Sequence, residues 1–183
     1  HGIDLRLLRE DAFLRLGSGA HESEFPLVVR LATVTEKGLR EGHTLEDIKP
    51  HVAGKIVVDT TVPLVPPKVM RVQLPPEGSA AAKAEAILGE GVRMVAGFHN
   101  VAAHKLAQNV DVDCDILVFG DEKAARAAIV ALADEIGLRG VHGGALVNAA
   151  AAEAMTSLLI FINKNYQVDG AGIRITGDLK PLV

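Results

Sequence analysis

Short apolar runs alternate with segments of helix-forming residues along most of the chain. The runs LVVRLATV from Leu27, KIVVDTT from Lys55 and DCDILVFG from Asp113 are rich in β-branched residues, which is typical of buried strands. Segment 79–91 contains strong helix formers between Ser79, a suitable N-cap, and Gly89, a suitable stop. Alternation of this kind predicts an α/β fold, a mostly parallel sheet with helices on both faces.

The segments between the strands have their own signals. Segment 43–52 predicts a short helix with Thr44 as its N-cap, and the three prolines of TVPLVPPKV (61–69) predict an extended loop. Segment 145–166 predicts a long helix that is apolar around almost its whole circumference. We therefore expect a homodimer through this helix; cover by segment 168–183 is the competing explanation.

The composition of the chain limits which binding partners and which cellular compartment we expect. The chain has 183 residues and a formal charge of −4, and its 19 basic residues are scattered, so we expect no nucleic-acid partner. The single cysteine, Cys114, cannot form an internal disulfide, and no signal peptide is recognisable, so we expect a cytoplasmic protein. Segment 144–163 is apolar but contains Asn148, Glu153 and Asn163, so we expect no membrane span.

Ligands of parallel sheets bind beyond the carboxyl ends of the strands, which makes segments 33–36, 59–68 and 99–103 the candidate site. His99 follows a strand and precedes a predicted helix, whose amino terminus would favour a neutral imidazole beside a cofactor ring. His104 lies five residues further on, so the two imidazoles do not share a helical face, and we expect no metal site.

Two stretches resemble known binding motifs but lack a residue that each motif requires. GSGAHE (17–22) has two glycines of the dinucleotide fingerprint, but Glu22 replaces the third and Pro26 prevents a helix from following. Segment 111–122 has the acidic spacing of a calcium loop, but Ile116 stands where glycine is required. Cys114 lacks a CxxC partner, so we interpret it as a buried small residue.

Five stretches together carry a resemblance to a known family: KIVVDTTVPLVPPKV, LPPEGSAA, GFHNVAAHKLA, DCDILVFGD and GIRITG. In these stretches the chain resembles the NADPH-dependent reductases of coenzyme F420, from about Val28 to Leu179. The resemblance implies an NADP-dependent oxidoreductase that passes hydride between NADP and the deazaflavin coenzyme F420, with small-molecule cofactors as its partners. It also implies an incomplete Rossmann-like dinucleotide-binding part at 28–110 and a C-terminal α/β portion at 111–183, preceded by an irregular or remnant segment at 1–27.

The resemblance also implies roles for individual residues. Val62 and Lys68 would lie near the dinucleotide, and Thr35 and Glu36 fall where the family has a proline and a larger side chain touching it. The place where the two rings meet would be lined by His99, Val101 and Ala103. Because hydride moves directly between the rings, no catalytic side chain is required.

The family's glycine-rich turn and its Ser-Arg pair for the 2'-phosphate are not recognisable here. Losing two charge-assisted bonds would weaken dinucleotide binding by about a hundredfold or more. We therefore expect the strand from Leu27 to lie near a sheet edge. Two alternatives stay open: a related reductase of an imine or keto acid, with His99 as proton donor, and a non-catalytic relic that dimerises.

Overall fold

Strands and helices alternate through the described part of the chain. The computed structural model describes the backbone of residues 14–15, 27–30, 43–108 and 111–180, and the side chains of residues 45–106 and 111–180. The strands are β1 (Leu14–Arg15), β2 (Leu27–Arg30), β3 (Ile56–Asp59), β4 (Arg93–Ala96), β5 (Asp115–Phe119) and β6 (Arg139–Gly144). The helices are α1 (His43–Ile48), α2 (Ala80–Leu88), α3 (Ala103–Gln108), α4 (Lys123–Glu135) and α5 (Ala149–Tyr166), with 3-10 turns at Lys49–His51 and Leu146–Asn148.

The six described strands form one sheet in the order β1-β2-β3-β4-β5-β6. Pairs β2–β3, β3–β4 and β5–β6 are parallel, whereas β1–β2 and β4–β5 are antiparallel. In this order only the two-residue β1 lies outside β2, which agrees with the expectation that the strand from Leu27 lies near a sheet edge. The predicted α/β class with a mostly parallel sheet is confirmed.

The antiparallel β4–β5 pair was not indicated by the sequence. Among the described residues of its connection the only helix is the six-residue α3, about 9 Å long, and no longer helix runs back across the sheet as in a parallel crossover. Instead Ala96 pairs with Phe119, and Asn100 Nδ2 donates to the Asp115 carbonyl at 2.6 Å. The start of β5 therefore lies at the same edge as the carboxyl ends of β3 and β4.

Helices cover both faces of the sheet because side chains alternate along each strand. Val57 of β3 packs into one core cluster with buried residues of α1, α2 and α5. Ile56 and Val58 point into the other cluster, which contains Ala125, Ile129 and Ala133 of α4. Helices on both faces were predicted and are confirmed.

Local signals set the ends of α2 as the sequence predicted. Ser79 Oγ accepts a hydrogen bond from the Ala82 amide, and Gly89 ends the helix with a φ of 75°, which glycine adopts without strain. Helix α1 begins at His43, so Thr44 is a helical residue rather than the predicted N-cap.

The segment after α5 is fixed to the start of β5. The Asp115 amide donates to the Ile173 carbonyl at 2.7 Å, and the Ile175 amide donates to Asp115 Oδ2 at 2.6 Å. Arg139 donates to both carboxylate oxygens of Asp115, and this pairing is the main reason that the pKa of Asp115 is lowered. Cys114 beside it is buried, as predicted.

Helix α5 has a buried inner side and an exposed outer side. Ala149, Ala152 and Leu159 are buried, whereas Leu158 and Phe161 remain about half exposed. The chain turns away at Gln167, whose φ of 55° is left-handed, so segment 168–180 runs toward α3 and β5. By length and composition the stretch Leu146–Tyr166 would suffice to cross a membrane, a criterion that core helices of soluble proteins also meet.

The contact between β5 and β6 predicts a site that does not tolerate a larger residue. A Cβ at Gly143 would overlap the ring of the buried Phe119. We expect Gly143→Ala to lower the free energy of unfolding by about 1 to 3 kcal/mol, because relieving the overlap requires the buried ring or the backbone to shift. The control is Gly97→Ala, whose Cβ would meet only an ordinary 3.5 Å contact. Urea denaturation measures both; equal stabilities would contradict this packing.

Candidate active site at the carboxyl ends of β3 and β4

Four buried polar residues follow two neighbouring parallel strands. Asp59 ends β3 and Thr61 follows it, while His99 and Asn100 come just after β4. Asp59 is paired with Ala96, so the two strands end at the same level. The carboxyl ends of adjacent parallel strands therefore bring these side chains to one edge of the sheet, where open α/β sheets bind ligands.

Backbone contacts fix the two connections. Asp59 Oδ1 accepts from the Thr61 amide at 2.8 Å, and the Gly97 amide donates to the Asp59 carbonyl at 3.1 Å. Phe98 has a left-handed φ of 64°, which is unusual for a bulky residue and reverses the chain just before His99. Thr156 of α5 donates its hydroxyl to the His99 carbonyl at 2.8 Å. His99 is thus held in place by its backbone while its ring stays available.

Several side-chain atoms of this cluster have no hydrogen-bond partner in the described part of the chain. Among the described residues, Thr61 Oγ1, Asn100 Oδ1 and both ring nitrogens of His99 are buried without a hydrogen bond. The other such atoms, on Arg126 and His142, belong to α4 and β6. An unsatisfied buried polar atom costs about 1 to 3 kcal/mol, so several at one sheet edge indicate a place for a polar ligand.

Burial decides the charge state of His99. Only 5% of the residue is exposed, and this burial lowers its pKa from 6.5 to about 4, against the opposing charge of Asp59. The sequence had suggested the amino terminus of the following helix as the cause. That interpretation is corrected, because α3 begins only at Ala103 and burial is the largest cause. At neutral pH the ring offers one donor and one acceptor.

Glu153 of α5 has a buried carboxylate near Asp59 and was not predicted as a site residue from the sequence. Its carboxylate accepts hydrogen bonds from the Ala80 amide at 2.6 Å and the Ala81 amide at 3.1 Å, at the amino terminus of α2. Burial raises the pKa of Glu153 to about 7; the two amide hydrogen bonds oppose this rise, and the Asp59 charge adds to it. The available signal was a lone acid in an otherwise apolar stretch of helix.

The loop 62–78, between β3 and α2, forms the other part of this edge. Gln73 Nε2 donates to the Val65 and Lys68 carbonyls at 3.3 Å, which folds the loop on itself. Ser157 of α5 donates to the Arg71 carbonyl at 3.3 Å. The loop is therefore attached to the same helix that contacts the His99 carbonyl.

The structure brings most of the predicted site residues to this edge. Val62 is half-buried just after Thr61, Val101 is half-buried after Asn100, and Ala103 is exposed at the start of α3. Lys68 is exposed on the loop 62–78. Thr35 and Glu36 lie outside the described residues. The sequence did not predict Glu153 as a site residue, and it included Asp59, Thr61 and Asn100 only within the ranges 59–68 and 99–103.

Other charged residues do not form a metal site in the described part of the chain. No group of three or more His, Cys, Asp or Glu side chains there could hold an ion. His104 Nε2 lies 2.9 Å from Asp169 Oδ1 at the surface, and Lys105 Nζ lies 3.2 Å from Asp169 Oδ2. These contacts tie α3 to the C-terminal segment.

The burial of His99 predicts an unusual titration. We expect its ring resonances to stay those of a neutral imidazole as the pH falls from 7 to about 5, with protonation centred near pH 4. Histidine-selective NMR measures this, with His99→Gln to assign the signal. Protonation of the ring between pH 6 and 7 would contradict the burial.

The lowered pKa of His99 also determines the direction in which folding stability changes with pH. Between pH 6.5 and about 4 the unfolded chain binds more protons at His99 than the folded chain does. The contribution of His99 to stability is therefore lost as the pH falls through this window, and His99→Gln should reduce the loss.

Comparison with known proteins identifies the family. Over 139 residues the chain is 40% identical to the F420-dependent NADP reductase of Methanocaldococcus jannaschii, covering 73% of this chain but only 61% of that protein. Over 164 residues it is 34% identical to the F420-dependent NADP reductase of Methanothermobacter marburgensis, covering 86% of this chain and 73% of that protein. The chain thus spans about three fifths of the length of the first of these relatives.

A solved structure from Arthrobacter sp. FB24, provisionally described as an F420-dependent NADP reductase, has a TM-score of 0.70. It covers 82% of this chain and 69% of its own at 21% identity, which shows the fold alone. No protein-family model matches the chain. The identity to the curated relatives, over most of this chain, establishes the relationship: the chain belongs to the family of F420-dependent NADP reductases.

Proposed function

We propose that the chain is an NADP-dependent oxidoreductase that transfers hydride between NADP(H) and the deazaflavin coenzyme F420. The observation that carries this proposal is the cluster of buried, unpartnered polar atoms on Thr61, His99 and Asn100, in a member of this family. A planar ring with amide-type donors and acceptors along one edge would satisfy such atoms.

The residues at the sheet edge fit two stacked rings. When bound, the nicotinamide and the deazaflavin supply the carbons between which hydride moves, and no protein nucleophile is needed. The neutral imidazole of His99 can donate one hydrogen bond and accept one from a bound ring, and Val62, Val101 and Ala103 are apolar side chains that would exclude water beside it. The exposed Lys68 is suited to a phosphate, and Thr35 and Glu36 are proposed dinucleotide contacts on the family resemblance alone.

The names of the relatives favour coenzyme F420 over an imine or keto acid as the partner of NADP in the reaction. Their names specify F420 and NADP, whereas no observation points to an imine or keto acid. Buried polar atoms without hydrogen bonds also lower the stability of the fold, which disfavours a chain that binds no ligand there. The buried, free Cys114 accords with a reducing, cytoplasmic location.

The proposed reaction is tested with the purified chain, NADPH and oxidised coenzyme F420. We expect loss of the visible absorbance of the coenzyme as hydride is transferred. His99→Ala should slow this reaction by about tenfold or more, because the rings lose a positioning contact. Its melting temperature should change by only a few degrees, since the ring makes no hydrogen bond in the described structure.

The control is His51→Ala, which removes an exposed imidazole away from the site. An unchanged rate of His99→Ala with saturating cofactors would exclude the role of His99. No reaction of the unaltered chain, although both cofactors bind, would exclude the proposed function.

We also propose that the chain forms a homodimer through the outer side of α5. Val147, Met155, Leu158 and Phe161 form an exposed apolar stripe, which we call the outer stripe. Met155, Leu158 and Phe161 follow at spacings of three residues on one side of α5, and Val147 lies in the 3-10 turn before it. The described C-terminal residues leave all four exposed. A two-fold partner would bury this stripe against its own copy.

Light scattering tests the dimer. We expect a dimeric mass for the unaltered chain at tens of micromolar and a monomeric mass for Phe161→Glu, because a carboxylate would be buried at the interface. Leu179→Glu is the matched control, since Leu179 is 46% exposed and Phe161 is 48% exposed, but Leu179 lies outside α5. A monomeric unaltered chain would contradict the proposal.

A further inference from the structure

We propose that Glu153, Thr156 and Ser157 form a polar clamp on α5 that sets the spacing between the two walls of the cofactor cleft, with Glu153 as its main positioning residue. One wall is the loop 62–78 with the start of α2. The other is the turn 97–102 that carries His99. The inference rests on the proposed function, because the walls matter only if cofactor rings lie between them.

The three clamp residues point in similar directions but contact different segments. Positions i, i+3 and i+4 share one side of a helix, and all three lie on the inner side of α5. Glu153 contacts the start of α2, Ser157 contacts Arg71 in the loop, and Thr156 contacts the carbonyl of His99. One rigid helix therefore binds both walls.

The contacts of α5 position parts of the walls that strand pairing does not position. Pairing of β3 and β4 fixes the walls at their base, ending with the bond from the Gly97 amide to the Asp59 carbonyl. Arg71 and Ala80 lie 12 and 21 residues beyond Asp59 along the chain. Because a loop of this length is not positioned by its ends alone, the contacts with α5 determine where it lies.

Burial of the Glu153 carboxylate is energetically unfavourable, which argues for a role beyond packing. Glu153 is 1% exposed, and the nearby charge of Asp59 on β3 repels it. The favourable contacts are the two amides at the amino terminus of the nine-residue α2. An apolar side chain would fill this space without the desolvation cost, but would leave the two amides without an acceptor.

The spacing of the walls is measured directly with spin labels, without any cofactor. Lys68→Cys places one label on the loop wall, and Ala103→Cys places the other at the first residue of α3, directly after the turn 97–102. Both positions are exposed, and the buried Cys114 is replaced by serine. We expect one narrow distance distribution in this background, and a broader or longer one after Glu153→Gln. Glu135→Gln, the same change at the exposed end of α4, should leave the distribution unaltered. Equal distributions in all three proteins would overturn the clamp.

Amide NMR reports whether the carboxylate is the group responsible. The Ala80 and Ala81 amides should shift with an inflection near pH 7, where Glu153 titrates, and Glu153→Gln should abolish this inflection. An inflection that persists in Glu153→Gln would assign the effect to another group and would overturn the role of Glu153.

Kinetics separates positioning from simple support of the fold. We expect Glu153→Gln to lower kcat by about tenfold or more and to change KM for either cofactor by less than about threefold, because misplaced rings still bind. Thr156→Val should act in the same direction. An unchanged kcat with a widened distance distribution would overturn the positioning role. If the unaltered chain transfers no hydride, the proposed function fails, and the spin-label distances still decide whether the clamp sets the spacing.

Discussion

The parallel register of β2, β3 and β4 is the constraint on which the site depends. Arg30 is paired with Asp59 and Asp59 with Ala96, so the three strands end in one row. The chain leaves each strand at the same edge, and the polar residues that follow β3 and β4 are brought together there. A slip of one residue would reverse the side on which each strand side chain lies and would separate the core clusters from their helices.

Helix α5 serves two surfaces with opposite requirements. Its inner side combines small apolar residues, which allow close packing on the sheet, with three polar residues that contact the start of α2, the His99 carbonyl and the loop 62–78. Its outer side is apolar and exposed. If a second copy covers the outer stripe, dimer formation would also immobilise the helix that holds the cleft. Assembly and the geometry of the site would then depend on the same element.

The sequence predicted those features that depend on neighbouring residues. Ser79 and Gly89 marked both ends of α2, because caps act within a few residues, and His99 was predicted as a site residue because it comes soon after a strand. Glu153 could not be assigned, since its partners Ala80 and Ala81 lie more than 70 residues away. The cause of the lowered His99 pKa was also missed, because burial depends on the whole fold rather than on the next helix.

The central claim is that the rings of the cofactors lie at the edge formed by β3 and β4. Backbone and histidine NMR during titration with oxidised coenzyme F420 and NADP tests it most directly, since it locates binding whether or not hydride is transferred. The account predicts that the largest shifts occur at Thr61, His99 and Asn100, and that the His99 ring gains a hydrogen bond. Saturable binding that leaves these three residues unshifted, with changes only elsewhere in the chain, would contradict it.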